Sequence, residues 1–362
     1  MDVESKIAVV KSIAQEIVTE GELREVFETN AHPVAYDGFE PSGKAHLPFG
    51  LYRPLLLKQL LTTGVKFKFL LADSFAWING KMDGDLDNVH AVGEYFIEVW
   101  KAAGVPTSKV EFVWHKQLFD DGEYWKKVIL IAKEHSEART KRALTIAGRK
   151  EDDVKQVAQL FYPSMQAADV FQLGVDICQL GIDQRKANML ARDVAEKLGW
   201  KKPVSASHKM LLGLNGMQSA SAADEETKQD AEIDAKMSKS KPETCIFVHD
   251  SREEIARKLA KAYCPAKIVE GNPVLEYFEE IVFRAKSEVT VARPAKFGGD
   301  ESFANYRELE AAFVAGKLHP LDLKNAATQE IDALVMPIRK HFETNARARN
   351  LLEKVSAMQV TR

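Results

Sequence analysis

At 362 residues, 45% hydrophobic and 28% charged, the chain is long enough for two or three domains with real cores, and its composition excludes disordered, collagen-like and fibrous classes. Its 50 basic and 53 acidic residues leave a net charge of −3, so a nucleic-acid partner would have to dock on a local basic surface. The apolar runs are too short to span a bilayer, the first residues lack a signal-peptide core, and Cys178, Cys245 and Cys264 form no C-x-x-C pair; a soluble, reducing, cytoplasmic setting is expected.

Residues 1–30 read as helix, with Ile7, Val10, Ile13, Ile17 and Leu23 at near-helical spacing. VKFKFLLA (65–72) alternates and then turns fully apolar, as a strand covered on both faces does. A long helix carries Val89, Val92, Phe96, Val99 and Ala103, with Gly104 at its stop. KVEFVW (109–114) reads as a strand, 120–160 as charged helix, and DICQL (176–180) as a short strand. A helix then runs from about Gln184 to Gly199. This alternation predicts a parallel α/β sheet. Residues 217–235 hold six acids and one lysine and read as a solvated loop, and beyond about residue 250 helical signals dominate, predicting a second, mainly α-helical domain.

GFEPSGK (38–44) fits a phosphate loop until Ala45, where that loop needs a hydroxyl for Mg²⁺; Pro41 also removes a backbone N–H that such a loop would donate. The residues that follow, HLPFG, suit another arrangement. Pro48 favours the first position of a helix, and His46 just before it would face phosphate at the helix N-terminus. Far downstream, Lys236-Met237-Ser238-Lys239-Ser240 spells KMSKS. A phosphate-facing His after the first strand and KMSKS after the last strand together resemble the class I aminoacyl-tRNA synthetases.

YDGFEPSGKAHL, LLAD (70–73), YPSMQAADVF (162–171), GIDQRKANMLAR (181–192), KMSKS, KAYCPA (261–266), RPAKFGGD (293–300) and LHPLDLKNA (318–326) are similar, in order, to the archaeal and eukaryotic branch of tyrosyl-tRNA synthetases. Tyr162, Gln166 and Asp169 are spaced to share one helix face, an unusual polar stripe among Ala, Met and Phe. The resemblance implies that Tyr36 and Asp169 bind a tyrosine phenol, while Tyr162, Gln166 and Gln184 hold its α-ammonium. For ATP it implies Gly38, Phe39 and Glu40 in a turn beside the nucleotide, His46 on the phosphates and Asp183 on the ribose. Lys236, Met237, Ser238, Lys239 and Ser240 would close over the pyrophosphate, with His46, Lys236 and Lys239 as the catalytic set. Mg²⁺ would enter with ATP, and no separate protein metal site is expected.

The implied organisation is an N-terminal helical segment (1–30), a Rossmann-like catalytic domain (31–250) and an α-helical anticodon-binding domain (251–362). Within the second lie a helical insertion (115–160), which resembles the family's dimer-forming element and implies a homodimer, and the KMSKS loop (214–245). Phe297 and His319 would meet the first anticodon base, a guanine, and Asp322 would accept from its Watson–Crick edge. Phe49 and Pro48 depart from the family's HIGH pattern, and Pro54 is expected to kink the next helix. The nearest alternative is the tryptophanyl relative, against which the phenol-suited pair Tyr36 and Asp169 argues.

Overall fold

The computed structural model describes residues 1–147, 156–217, 231 and 233–358; most of the acidic 217–235 stretch therefore lies outside the described residues. Six strands form one sheet: β1 (Glu16–Val18), β2 (Val34–Phe39), β3 (Lys66–Leu71), β4 (Val110–Trp114), β5 (Ile177–Cys178) and β6 (Val204–Ser207), in the order β1-β6-β5-β2-β3-β4. All neighbours run parallel except β1, which pairs antiparallel with β6. The crossovers are helical: α3 (Arg53–Leu61), α4 (Asp73–Ile78), α5 (Leu86–Ala102), α6 (His115–Phe119), α7 (Gly122–Lys133), α8 (Glu137–Ala143), α9 (Tyr162–Gln172) and α10 (Arg185–Leu198).

Strand alternation feeds two separate cores. Ala35, Phe67, Phe69 and Leu71 pack on one face of the sheet, and Tyr36, Leu70, Val113 and Cys178 on the other. Burial on both faces explains why VKFKFLLA loses its polar alternation. Between β2 and β5 the strand order reverses direction. In open parallel sheets, ligands bind in the crevice at the carboxyl ends of the strands beside such a switch point.

Two expectations need correction. Residues 1–30 are two helices, α1 (Val3–Ile13) and α2 (Glu20–Thr29), divided by β1, because Glu16–Val18 finds backbone partners on β6. The distortion expected at Pro54 falls one turn earlier: Pro48–Tyr52 is a π-helical turn in which Arg53 N–H bonds Pro48 O, and Pro54, having no N–H to offer Gly50 O, continues it into α3. The C-terminal part is mainly helical, as expected. Beside α11 (Arg252–Ala260), α12 (Pro273–Tyr277), α13 (Phe283–Ala285), α14 (Tyr306–Val314), α15 (Pro320–Thr344) and α16 (Ala346–Ala357), it holds a hairpin of β7 (Val289–Val291) and β8 (Glu301–Phe303). Strands of three residues are too short to leave a periodic signal.

Candidate active site

A cleft of about 1190 Å³ opens over the carboxyl ends of β2 and β5. One end is a buried polar pocket. Tyr36, on β2, is 1% exposed, and its hydroxyl is buried with no partner. Burial above all, with nearby Cys178 and Asp169, pushes that phenol well above its usual range, so it stays protonated. Opposite it stands α9, whose one face presents Tyr162, Gln166 and Asp169, all buried. Asp169 Oδ1 lies 3.0 Å from His115 Nε2 and 2.9 Å from Tyr124 Oη. Burial raises the Asp169 pKa, opposed by His115 and Tyr124.

Gln166 donates to Gln184 Oε1 (3.0 Å), and Gln184 donates to Ile146 O (3.1 Å). That leaves Gln166 Oε1 buried with no partner. Tyr162 donates to Glu40 Oε1 (2.8 Å), which also accepts from Asn79 (2.6 Å). The side chain at the end of β2 is thus moored to α9.

The other end is cationic. His46 sits at the foot of the π-helical turn, its Nδ1 buried without a partner. Burial, then the charges of Lys239 and Lys236, lower its pKa well below the usual value, so the imidazole is neutral. Lys236 Nζ lies 2.6 Å from Asp183 Oδ2, and Lys239 donates to Ser42 Oγ at 2.7 Å. Burial, with Lys81 next, brings the Lys239 ammonium down to about 8. Met237 is buried, its N–H bonded to Leu211 O at 2.7 Å, while Ser238 and Ser240 pair hydroxyls at 2.9 Å.

Gly38 and Phe39 line the wall between these ends. All fifteen residues expected to bind tyrosine or ATP therefore border one cleft. Phe297, His319 and Asp322 lie apart from it, in the C-terminal part. Phe297 is 62% exposed in the β7–β8 loop, whose Arg293 donates to Lys317 O (2.7 Å), two residues before His319. His319 caps α15, accepting from Leu321 N–H, and Asp322 stands in the first turn.

A family model for class I tRNA synthetases (W and Y) matches residues 28–234 and 229–336. The chain belongs to that family. The cytoplasmic tyrosine--tRNA ligase 1 of Arabidopsis thaliana is 41% identical over 364 residues, covering 100% of this chain and 90% of that one. A tyrosine--tRNA ligase of Saccharolobus islandicus is 41% identical and covers 98% and 99%. The crystal structure of the Pyrococcus horikoshii tyrosyl-tRNA synthetase with L-tyrosine superposes with a TM-score of 0.89 at 41% identity, covering 98% of this chain and 100% of that chain.

Some residues of this class I site went unread in the sequence. His115 and Tyr124 hold Asp169 from the buried faces of α6 and α7, but 54 and 45 residues separate them from it and no motif marks them. Asp37 and Arg53 form a buried ion pair (2.5 Å) on the cleft floor, with Arg53 also donating to Gln179 O (3.0 Å). Burial pushes Asp37 up to about 6 even beside the guanidinium. At Gly181 a Cβ would stand 2.5 Å from Asp183 Oδ1 and 2.6 Å from Met210 Sδ, so a side chain there would have to displace both.

Proposed function

We propose that the chain attaches L-tyrosine to its tRNA in two steps, with ATP as the energy source. The observation that carries this reading is the buried, unpartnered hydroxyl of Tyr36 facing a pocket that also holds Asp169. A phenol O–H entering there would bond both groups. Phenylalanine would leave them unsatisfied at a cost of about 1–3 kcal/mol each. The orphan acceptor Gln166 Oε1, beside Gln184 and Tyr162, suits the α-ammonium, which only donates.

The tyrosine carboxylate then attacks the α-phosphorus of ATP. An oxygen–phosphorus bond forms, the bond to the bridging oxygen breaks, and diphosphate leaves with its electron pair. The residues contribute position and charge. Neutral His46 donates an N–H to the phosphates, and Lys239 and Lys236 neutralise the departing diphosphate. In the resting chain Lys236 is held by Asp183; transfer of Lys236 to diphosphate frees Asp183 for a ribose hydroxyl. Gly38, Phe39 and Glu40 shape the wall beside the nucleotide, Met237, Ser238 and Ser240 carry the two lysines, and Mg²⁺ travels with ATP as its counterion. A 3′-terminal ribose hydroxyl of the tRNA next attacks the tyrosyl carbonyl, releasing AMP.

Phe297 stacks on the anticodon, with His319 and Asp322 reading its first base. The reading places the enzyme in the cytoplasm; no helix among the described residues is long and apolar enough to cross a membrane. The insertion block exposes Ile129, Leu130 and Val157, an apolar surface suited to a second copy; sedimentation separates a homodimer from a 40.5 kDa monomer. Tyrosine-dependent ATP–pyrophosphate exchange tests the whole reading. Exchange with tryptophan in place of tyrosine would overturn it.

A further inference from the structure

The backbone that carries His46 is not held by the sheet. It forms an isolated antiparallel bridge with Phe247: Leu47 N–H bonds Ile246 O (2.8 Å) and Val248 N–H bonds Ala45 O (3.1 Å). Approach is close enough that a Cβ on Gly50 would stand 2.5 Å from Val248 Cγ1. The same segment, Cys245–Asp250, follows Lys239 by six residues through consecutive turns. One short piece of chain thus sits between His46 and the KMSKS lysines.

What holds that piece comes from the C-terminal helices. Lys258, on α11, is 4% exposed, although lysines are seldom buried without a purpose-built environment. Its Nζ donates to Cys245 O (2.9 Å) and Asp250 Oδ2 (2.7 Å), and lies 5.1 Å from the centre of the Phe247 ring. Asp250 Oδ2 also accepts from Phe247 N–H (2.9 Å), so ammonium and carboxylate together pin both ends of the segment. On α15, Arg339 donates to Asp250 O at 2.7 Å. That helix begins at His319, so the one rod that carries this contact also starts at the residues assigned to the anticodon.

We propose that Lys258 and Arg339 are positioning residues for adenylate formation, fixing Cys245–Asp250 so that His46 and the KMSKS lysines meet the same triphosphate. The proposal rests on the ATP reading of the cleft. It makes the C-terminal helices part of the first chemical step, not only of tRNA selection. Charged hydrogen bonds to a buried segment are among the strongest a fold offers, and displacing a reacting group by about 1 Å costs up to about 100-fold in rate.

The test measures tyrosine-dependent exchange, tyrosine binding and melting temperature in Lys258→Met, Lys258→Arg and Arg339→Gln. Lys258→Met is expected to lower the exchange kcat about 10- to 100-fold with the tyrosine dissociation constant unchanged; Lys258→Arg restores most of the rate, and Arg339→Gln shows the same split more weakly. Should Lys258→Met fail to fold, Arg339→Gln carries the test, since it leaves the buried pair intact. Undiminished kcat in a folded Lys258→Met or Arg339→Gln variant overturns the proposal, as does an equal loss of kcat and tyrosine affinity, which marks a scaffold role. Absence of exchange in the unaltered chain would instead overturn the reading of the cleft.

Discussion

His115 Nε2 stands 3.0 Å from Asp169 Oδ1, and both side chains are buried. That contact fixes which way the carboxylate faces. It also opposes the burial that raises the Asp169 pKa, and so favours an ionised acceptor for a phenol proton. Replacing Asp169 by Asn is expected to reduce kcat/KM for tyrosine about 100-fold while that for phenylalanine changes less than about threefold, a loss of roughly 2–3 kcal/mol confined to the phenol contact. His115→Asn should raise the tyrosine KM about tenfold with kcat nearly kept. Exchange kinetics with the two amino acids check both.

Tyr36→Phe separates binding from stability. The hydroxyl has no partner in the unliganded chain, so its removal deletes an unsatisfied group worth about 1–3 kcal/mol. The melting temperature is therefore expected to stay level or rise, while the tyrosine KM rises about tenfold or more. Calorimetry and exchange kinetics on the same preparation measure the two effects. A fall in melting temperature would mean that the hydroxyl is satisfied within the fold.

Lys239 sets a pH limit. Its ammonium, brought down to about 8 chiefly by burial, is charged below that pH and neutral above it. The positive form is the one that stabilises leaving diphosphate. kcat/KM for ATP, which reports the free enzyme, should therefore fall as pH rises through about 8, approaching tenfold per pH unit. Lys239→Arg, with a guanidinium charged throughout, should be slower but should lose this alkaline fall. Exchange rates from pH 6 to 9.5 reveal the two profiles.

Asp322→Ala should weaken aminoacylation of tRNA about 10- to 100-fold and leave exchange within about twofold, because Asp322 lies outside the cleft, in the first turn of α15. Parallel charging and exchange assays settle this. Equal losses in both would remove Asp322 from anticodon reading.

Legibility in the sequence followed the range of the interactions. The stripe Tyr162, Gln166 and Asp169 was readable because helical spacing alone puts those residues on one face, and KMSKS because its five residues are contiguous. β3 and α5 declared themselves through long apolar periods. β1, by contrast, exists only because β6 offers it a backbone edge, and three residues carry no period. His115 and Tyr124 reach Asp169 only after β4, α7 and α9 have packed together. Nothing in the sequence singles out Lys258; its burial is set by Asp250 and Cys245, which the sequence places near it without indicating their direction.

The most direct test is a structure of the chain with L-tyrosine bound. The phenol oxygen is expected within hydrogen-bond distance of both Tyr36 Oη and Asp169, the ammonium against Gln166 Oε1, and the carboxylate turned toward His46. A tyrosine bound with its ring outside this pocket, or with its phenol touching neither group, would contradict the account.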